Sequence, residues 1–211
     1  MERLICLVMG YVFGLFQTGY LYSRSKHMDI RNYGSGNSGS TNVLRVMGKK
    51  AGLVVFLGDA GKMILACLLT RVIFRSQPES LYLYLLYTGF GVILGHNFPF
   101  YMGFKGGKGI AATAGLLVAM DLRVTAVCLI AFILIVAVTR YVSLGSLVVV
   151  TLFLIGMVFF GSHGAYGLGN QYLTEFYLVS AAVTLMAFWR HRSNIGRLIH
   201  GTENKIGSKK K

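Results

Sequence analysis

Residues 103–109 read Gly-Phe-Lys-Gly-Gly-Lys-Gly, four glycines and two lysines in seven positions. Glycine lets a backbone take positive φ and approach a ligand closely. Successive N–H groups in such a turn form a concavity for an anion. Lysines add point charges that suit phosphate. Lys105, Gly106, Gly107, Lys108 and Gly109 therefore have the chemistry of a phosphate cradle. The stretch is not a nucleotide P-loop. Met102 stands five before Gly107, Gly109 follows Lys108 where Ser or Thr is needed, and no strand pattern precedes it. His96 sits just ahead, at the end of an apolar run. A lone histidine there is either an interfacial hydrogen-bonding residue or a contributor to the cradle.

Two further stretches carry chemistry. Residues 34–42 read Gly-Ser-Gly-Asn-Ser-Gly-Ser-Thr-Asn, followed by Arg45. Alone, such a stretch is equally a flexible Gly/Ser linker. The asparagines, the threonine and the arginine shift the reading to a site, with Ser35, Asn37, Gly39, Thr41, Asn42 and Arg45 as candidates. Near the end come Arg190-His191-Arg192-Ser193-Asn194-Ile195-Gly196-Arg197-Leu198 and then Glu203. On a helix His191, Asn194 and Arg197 or Leu198 share one face. A stop-transfer cluster accounts for the arginines but not for His191, Asn194 or Glu203. Asp59 and Lys62 lie three apart within an apolar run, where ionisable groups are functional or paired.

The elements that must position these residues are membrane spans. The chain has 211 residues, 55% hydrophobic and only 13% charged, with a mean hydropathy of +0.61. Charged residues are about half as frequent as in a soluble domain. Apolar runs at 4–20, 51–74, 81–98, 110–120, 122–139, 143–161 and 174–189 predict an all-α, polytopic integral membrane protein with seven transmembrane helices. The fourth run is short and is expected to begin below the membrane surface, so that the glycine loop dips in. The net charge of +14 is concentrated in three clusters. Seven spans with the N-terminus outside and the C-terminus cytoplasmic place loops 22–50 and 100–109, Arg140 and the tail 190–211 on one side, as the positive-inside rule requires. Joining 110–139 into one helix would put the basic tail outside. We read residues 1–211 as one membrane domain.

Several classes are disfavoured. No aromatic–basic recognition surface accompanies the charge, so nucleic acid is not a partner. Cys6, Cys67 and Cys128 each lie in an apolar run without metal or disulfide spacing. The carboxylates are too few and scattered for a metal site. A transporter would need basic residues at mid-membrane, and a structural lipid-binding subunit would not need Asn37, Asn42, Asn194 and Glu203. The Lys209-Lys210-Lys211 end is expected to be disordered and to touch anionic headgroups.

The order of these motifs resembles a family. Gly34-Ser35-Gly36-Asn37-x-Gly39-x-Thr41-Asn42-x-x-Arg45, then Gly95-His96-x-Phe98-Pro99 with Phe104-Lys105-Gly106-Gly107-Lys108-Gly109, then His191-Arg192-x-Asn194-Ile195-x-Arg197-Leu198 with Gly201-Thr202-Glu203 closely resemble the bacterial acyl-phosphate:glycerol-3-phosphate acyltransferases, the PlsY family. Asp59-x-x-Lys62 and residues 140–146 look like it too. The resemblance implies a multi-pass enzyme of the bacterial inner membrane with its site at the cytoplasmic face. It implies acyl transfer from acyl phosphate to the 1-hydroxyl of sn-glycerol 3-phosphate, the first step of phospholipid synthesis, giving lysophosphatidate and phosphate. No cofactor and a monomeric state are expected, with membrane lipid as surroundings. By the same resemblance Ser35, Arg45, His191 and Asn194 are catalytic, and the glycine loop with Lys105 and Lys108 binds glycerol 3-phosphate. Asn37, Gly39, Thr41, Asn42 and His96 join the substrate-binding set, while Asp59, Lys62 and Glu203 are structural support. The chain departs from the pattern at Ser40 and at Ala112, one position before Thr113. The proton acceptor is either His191 or a substrate phosphate.

Overall fold

The computed structural model describes residues 1–207; the Lys209-Lys210-Lys211 end lies outside the described residues. All of the chain's regular structure is helical, with no strand among the described residues. In order it forms α1 (Glu2–Gly14), α2 (Thr18–Arg24), a 3-10 turn (Ile30–Asn32), α3 (Ser40–Met47), α4 (Lys49–Ile73), α5 (Pro78–Asn97), a second 3-10 turn (Phe100–Met102), α6 (Ile110–Met120), α7 (Leu122–Thr139), α8 (Val142–Ser162), α9 (Asn170–Arg190) and α10 (Arg192–Ile199).

Among the described residues, five segments are long and apolar enough to cross a membrane: residues 2–24, α4, α7, α8 and α9. The other two runs counted as spans in the sequence are α5 and α6. At 20 residues α5 is long enough, but tyrosines, Thr88, His96 and Asn97 dilute it. Its position explains that composition. It packs against α1, α4, α6 and α9, so its polar groups meet protein partners in place of lipid. Thr88 shares a hydrogen bond with Thr70 of α4 at 2.7 Å, and Tyr87 donates to Glu175 of α9 at 2.7 Å. The short α6, 11 residues, spans about 16 Å. The strongly apolar α7 lies at the periphery, with Ile130, Ile133, Leu134 and Val138 exposed.

Two glycine pairs set the closest helix contact. Gly10 and Gly14 of α1 face Gly91 and Gly95 of α5, and a Cβ on any of them would strike the opposite backbone. This small-xxx-small geometry lets apolar helices associate where no hydrophobic drive exists between them.

The first span departs from the expected continuous run. α1 ends at Gly14, and α2 starts only at Thr18. Free carbonyls at a helix break are costly within hydrocarbon unless satisfied. Here Lys62 Nζ donates to the carbonyls of Gly14 and Phe16, while Gln17 Nε2 donates to those of Gly14 and His96. The lysine that looked anomalous in α4 is thus the partner of a broken helix that apolarity alone could not reveal. The polar stretch 22–50 also holds more helix than its composition suggests, since α3 forms within it.

Candidate active site

Three segments converge at one end of the bundle. The first is the loop into α3. Gly34 and Gly36 take positive φ, +61° and +71°. Asn42, buried in α3, organises the loop with its amide: Oδ1 accepts the Ser35 N–H at 2.8 Å, and Nδ2 donates to the carbonyls of Tyr33 and Asn37 at 3.0 and 2.9 Å. Asn37 Oδ1 accepts the Gly39 N–H at 2.9 Å. Ser35 is left exposed, its hydroxyl carried on a loop that Asn42 holds in shape.

The glycine loop is built differently from the expected cradle of N–H groups. The N–H of Gly106 donates to the carbonyl of Asn97, and that of Gly107 to His96, both at 3.1 Å. Phe104 and Lys105 N–H groups bond to Pro99 and Met102. The glycines are present for closeness. A Cβ on Gly106 would enter the His96 carbonyl, and one on Gly107 the His96 ring. Arg190 Nη2 donates to the carbonyls of Gly106 and Gly107 at 3.1 and 2.7 Å, clamping the loop from α9. The free donors come later. The first helical bond of α6 runs from Thr113 N–H to the Gly109 carbonyl, which leaves the N–H groups of Ile110, Ala111 and Ala112 outside the helical ladder. Gly109, Ile110 and Ala111 border a cavity. The Thr113 hydroxyl bonds the same Gly109 carbonyl at 2.9 Å.

The third segment is the α9–α10 corner. His191 is buried, and its Nδ1 lies 2.8 Å from the Ala187 carbonyl. Lys108 Nζ donates to Asn194 Oδ1, Asn194 Nδ2 donates to Glu203 Oε1 at 2.9 Å, and Arg197 Nε donates to Glu203 Oε2 at 2.8 Å. Glu203, in the chain after α10, thus fixes the orientation of both Asn194 and Arg197. Below the loop, His96 Nδ1 lies 2.9 Å from Lys62 Nζ, which in turn pairs with Asp59 at 3.0 Å. An ammonium only donates, so His96 accepts through Nδ1 and keeps its proton on Nε2.

Two cavities meet here. One, of about 390 Å³, has an apolar arm of Leu53, Phe56, Phe132 and Val136. The other, of about 660 Å³, is ringed by Arg31, Lys105, Arg190 and Arg197. Ser35, Asn37, Lys108, Asn194, Arg197 and Asn204 border both.

A family model described as glycerol-3-phosphate acyltransferase matches residues 4–201. The chain belongs to the glycerol-3-phosphate acyltransferase family. It is an integral membrane acyltransferase of phospholipid synthesis. Curated relatives of the same description agree: one from Clostridioides difficile (strain 630) is 40% identical, covering 98% of this chain and 97% of its own, and one from Halalkalibacterium halodurans is 39% identical, covering 97% and 96%. Two crystal structures of PlsY (YgiH), an integral membrane glycerol 3-phosphate acyltransferase, are similar in fold. Its glycerol 3-phosphate form aligns with a TM-score of 0.82 and its lysophosphatidic acid form with 0.80, each at 31% identity and covering 98% of this chain and 96% of theirs.

In this acyltransferase the charges of the site are tuned by burial and by one another. Burial, and then the positive Arg197, lower Lys108 to about 8. Burial, and then Lys108, lower His191 to about 4. His191 is therefore neutral at physiological pH, with Nδ1–H given to Ala187 and Nε2 carrying the lone pair. Ser35, Asn37, Gly39, Thr41, Asn42, Arg45, His96, Lys108, Gly109, His191, Asn194 and Glu203 all border the apolar-armed cavity, and so does Asp59; Lys105 and Gly106 border the cationic one. Gly107 lies behind them, and Lys62 sits beneath without lining either. Sequence reasoning missed Arg31, Arg190 and Asn204, and it did not single out Ser143 within residues 140–146. The Ser143 hydroxyl is buried, unpartnered and on the wall of the apolar-armed cavity. Nothing local distinguishes Arg190 from a stop-transfer arginine, since its role lies in carbonyls 83 and 84 positions away.

Proposed function

We propose that this enzyme transfers a fatty acyl group from acyl phosphate to the 1-hydroxyl of sn-glycerol 3-phosphate, giving 1-acylglycerol 3-phosphate and phosphate. The observation that carries the reading is the junction of two unlike cavities at Ser35, Lys108 and Asn194. The apolar-armed cavity suits a donor with a long chain and a phosphate end. Its polar wall offers Arg45, the His191 ring and the free N–H groups at the start of α6, a favourable place for an anion. The cationic cavity suits a small polar phosphate ester, held through Lys105, Arg190, Arg197 and Arg31. The seven-span count, with α5 and α6 included, the N-terminus outside and the site at the cytoplasmic face of the bacterial inner membrane, follows from charge placement. A monomeric state goes with this reading.

Acyl phosphate is already activated, so the enzyme's main task is alignment. The glycerol oxygen bonds to the acyl carbon, and the bond from that carbon to the phosphate oxygen breaks. Ser35 and Asn194 are placed at the junction to donate to the developing oxyanion. Lys108, held against Asn194, balances the departing phosphate. The hydroxyl proton goes to a phosphate oxygen. Burial and the neighbouring Lys108 hold His191 at about 4, which makes it a poor base at working pH and favours a substrate phosphate oxygen as the acceptor. His191 serves by its lone pair and its shape.

The test is an acyl-transfer assay on purified protein in lipid, offering glycerol 3-phosphate with palmitoyl phosphate or with palmitoyl-CoA, to wild type and to Ser35→Ala. Turnover with acyl phosphate alone, lost in the variant, is the expected result. Turnover with both donors would remove the donor assignment. Failure with both, in folded protein, would sink the reading.

A further inference from the structure

The last described segment is a strap. After α10 the backbone turns at Gly201, with φ +67°. Residues 202–207 then run back along the apolar-armed cavity with no regular helix. Glu203, Asn204 and Ile206 form part of its wall. Besides the Glu203 contacts already described, the Thr202 N–H donates to the Arg197 carbonyl at 2.8 Å and the Lys205 ammonium lies over the Tyr141 ring, and two further anchors hold the strap. The Asn204 carbonyl accepts from Arg45 Nη2 at 3.1 Å. At the far end Arg140, between α7 and α8, grips Ile206 from both sides. The Arg140 carbonyl accepts the Ile206 N–H at 2.9 Å, and its Nε and Nη2 donate to the Ile206 carbonyl at 3.1 and 2.8 Å. Arg140 takes φ +64°, left-handed backbone that is uncommon outside glycine. That turn lets its carbonyl and its guanidinium address the same residue. Arg140 lines neither cavity.

We propose that Arg140 is a positioning residue for the donor site: its clasp on Ile206 fixes the strap, and the strap orients Arg45 through the Asn204 carbonyl. The proposal rests on the apolar-armed cavity being the acyl-phosphate site. An arginine side chain has much rotamer freedom. A guanidinium held by a fixed backbone carbonyl meets its anion already oriented, which is where positioning aids binding. Arg140 would otherwise be read as a span-end arginine attracted to anionic lipid, and in that role its loss would leave the strap and the donor site unchanged.

Arg140→Gly is the informative variant. Glycine suits the positive φ and keeps the backbone carbonyl, so the turn survives while the guanidinium goes. The KM for palmitoyl phosphate should rise about tenfold, with kcat and the KM for glycerol 3-phosphate within about twofold of wild type. Arg140→Lys, with one donor site in place of a fork, should fall between. A second readout is independent of turnover. Ile206→Cys preserves the clasp, which uses only the Ile206 backbone. Cys6, Cys67 and Cys128 are buried, so a soluble maleimide reports position 206. Labelling should be several-fold faster when Arg140→Gly is combined with Ile206→Cys. Unchanged labelling overturns the clasp. Faster labelling with an unchanged donor KM overturns the link to the site, as does a parallel rise in both KM values. Reaction of the native cysteines would mark an unfolded variant, and Arg140→Lys then carries the test. Wild type that gives no turnover with acyl phosphate would refute the donor reading alone, while labelling would still decide the clasp.

Discussion

Lys108 stands where both cavities meet and already touches Asn194. Its value of about 8 lies below the ordinary lysine range, so it loses its proton as pH rises through that value. A cation needed for phosphate is then lost, and kcat/KM for glycerol 3-phosphate should fall on the alkaline side with an apparent pKa near 8. Lys108→Arg, which stays charged, should remove that limb. His191 makes the opposite statement. With a value of about 4 it stays neutral across the working range, so no acid limb between pH 5 and 7 should belong to it. Its replacement by Gln should cost less than the ~100-fold or more that loss of a general base costs. At this scale the residue types were readable in the sequence, but their duties were not. Asn42 looks like a ligand in a list of motif positions, yet its amide is committed to the loop backbone. Asn42→Ala should strip several loop groups of partners and cost about 1–3 kcal/mol, seen as a lowered melting temperature together with loss of turnover.

Among the elements, the α1–α5 contact and the short α6 set where the loops arrive. Gly95→Ala would push a Cβ into the Tyr11 carbonyl and the Gly14 backbone, and overpacking of that kind costs about 1–3 kcal/mol. The same change at Gly61 of α4 meets nothing within 4 Å, and should leave stability within about 1 kcal/mol of wild type. Thermal unfolding of both variants in the same lipid checks the pair. The helices themselves were legible from the length of their apolar runs, and so was the brevity of α6. What the runs concealed was the break between α1 and α2. Hydropathy averages over the residues around Gln17 and sees a continuous span, whereas the break depends on donors from α4 and from Gln17 itself.

Across the whole molecule, the buried polar hub of Asp59, Lys62 and His96 joins the broken first span to the floor of the glycine loop. Lys62→Met would leave the buried Asp59 carboxylate with the Thr18 hydroxyl but without its ammonium, and breaking a buried ion pair costs about 3–5 kcal/mol. Asp59→Asn with Lys62→Met should recover part of that loss, a non-additivity that a double-mutant cycle of melting data would show. The sequence by itself determined that the protein is helical and membrane-embedded, and it singled out three segments that the structure brings together around two adjoining cavities. Those properties depend on composition, run length and local spacing. Only the tertiary structure decided that the Gly106 and Gly107 N–H groups are spent on α5, that Arg190 clamps that loop, that Asn204 meets Arg45, and that two cavities share one wall. The first is a loop folding back on the helix just before it, and the others join groups far apart in the chain, pairings that arise only when the packed helices bring their ends together.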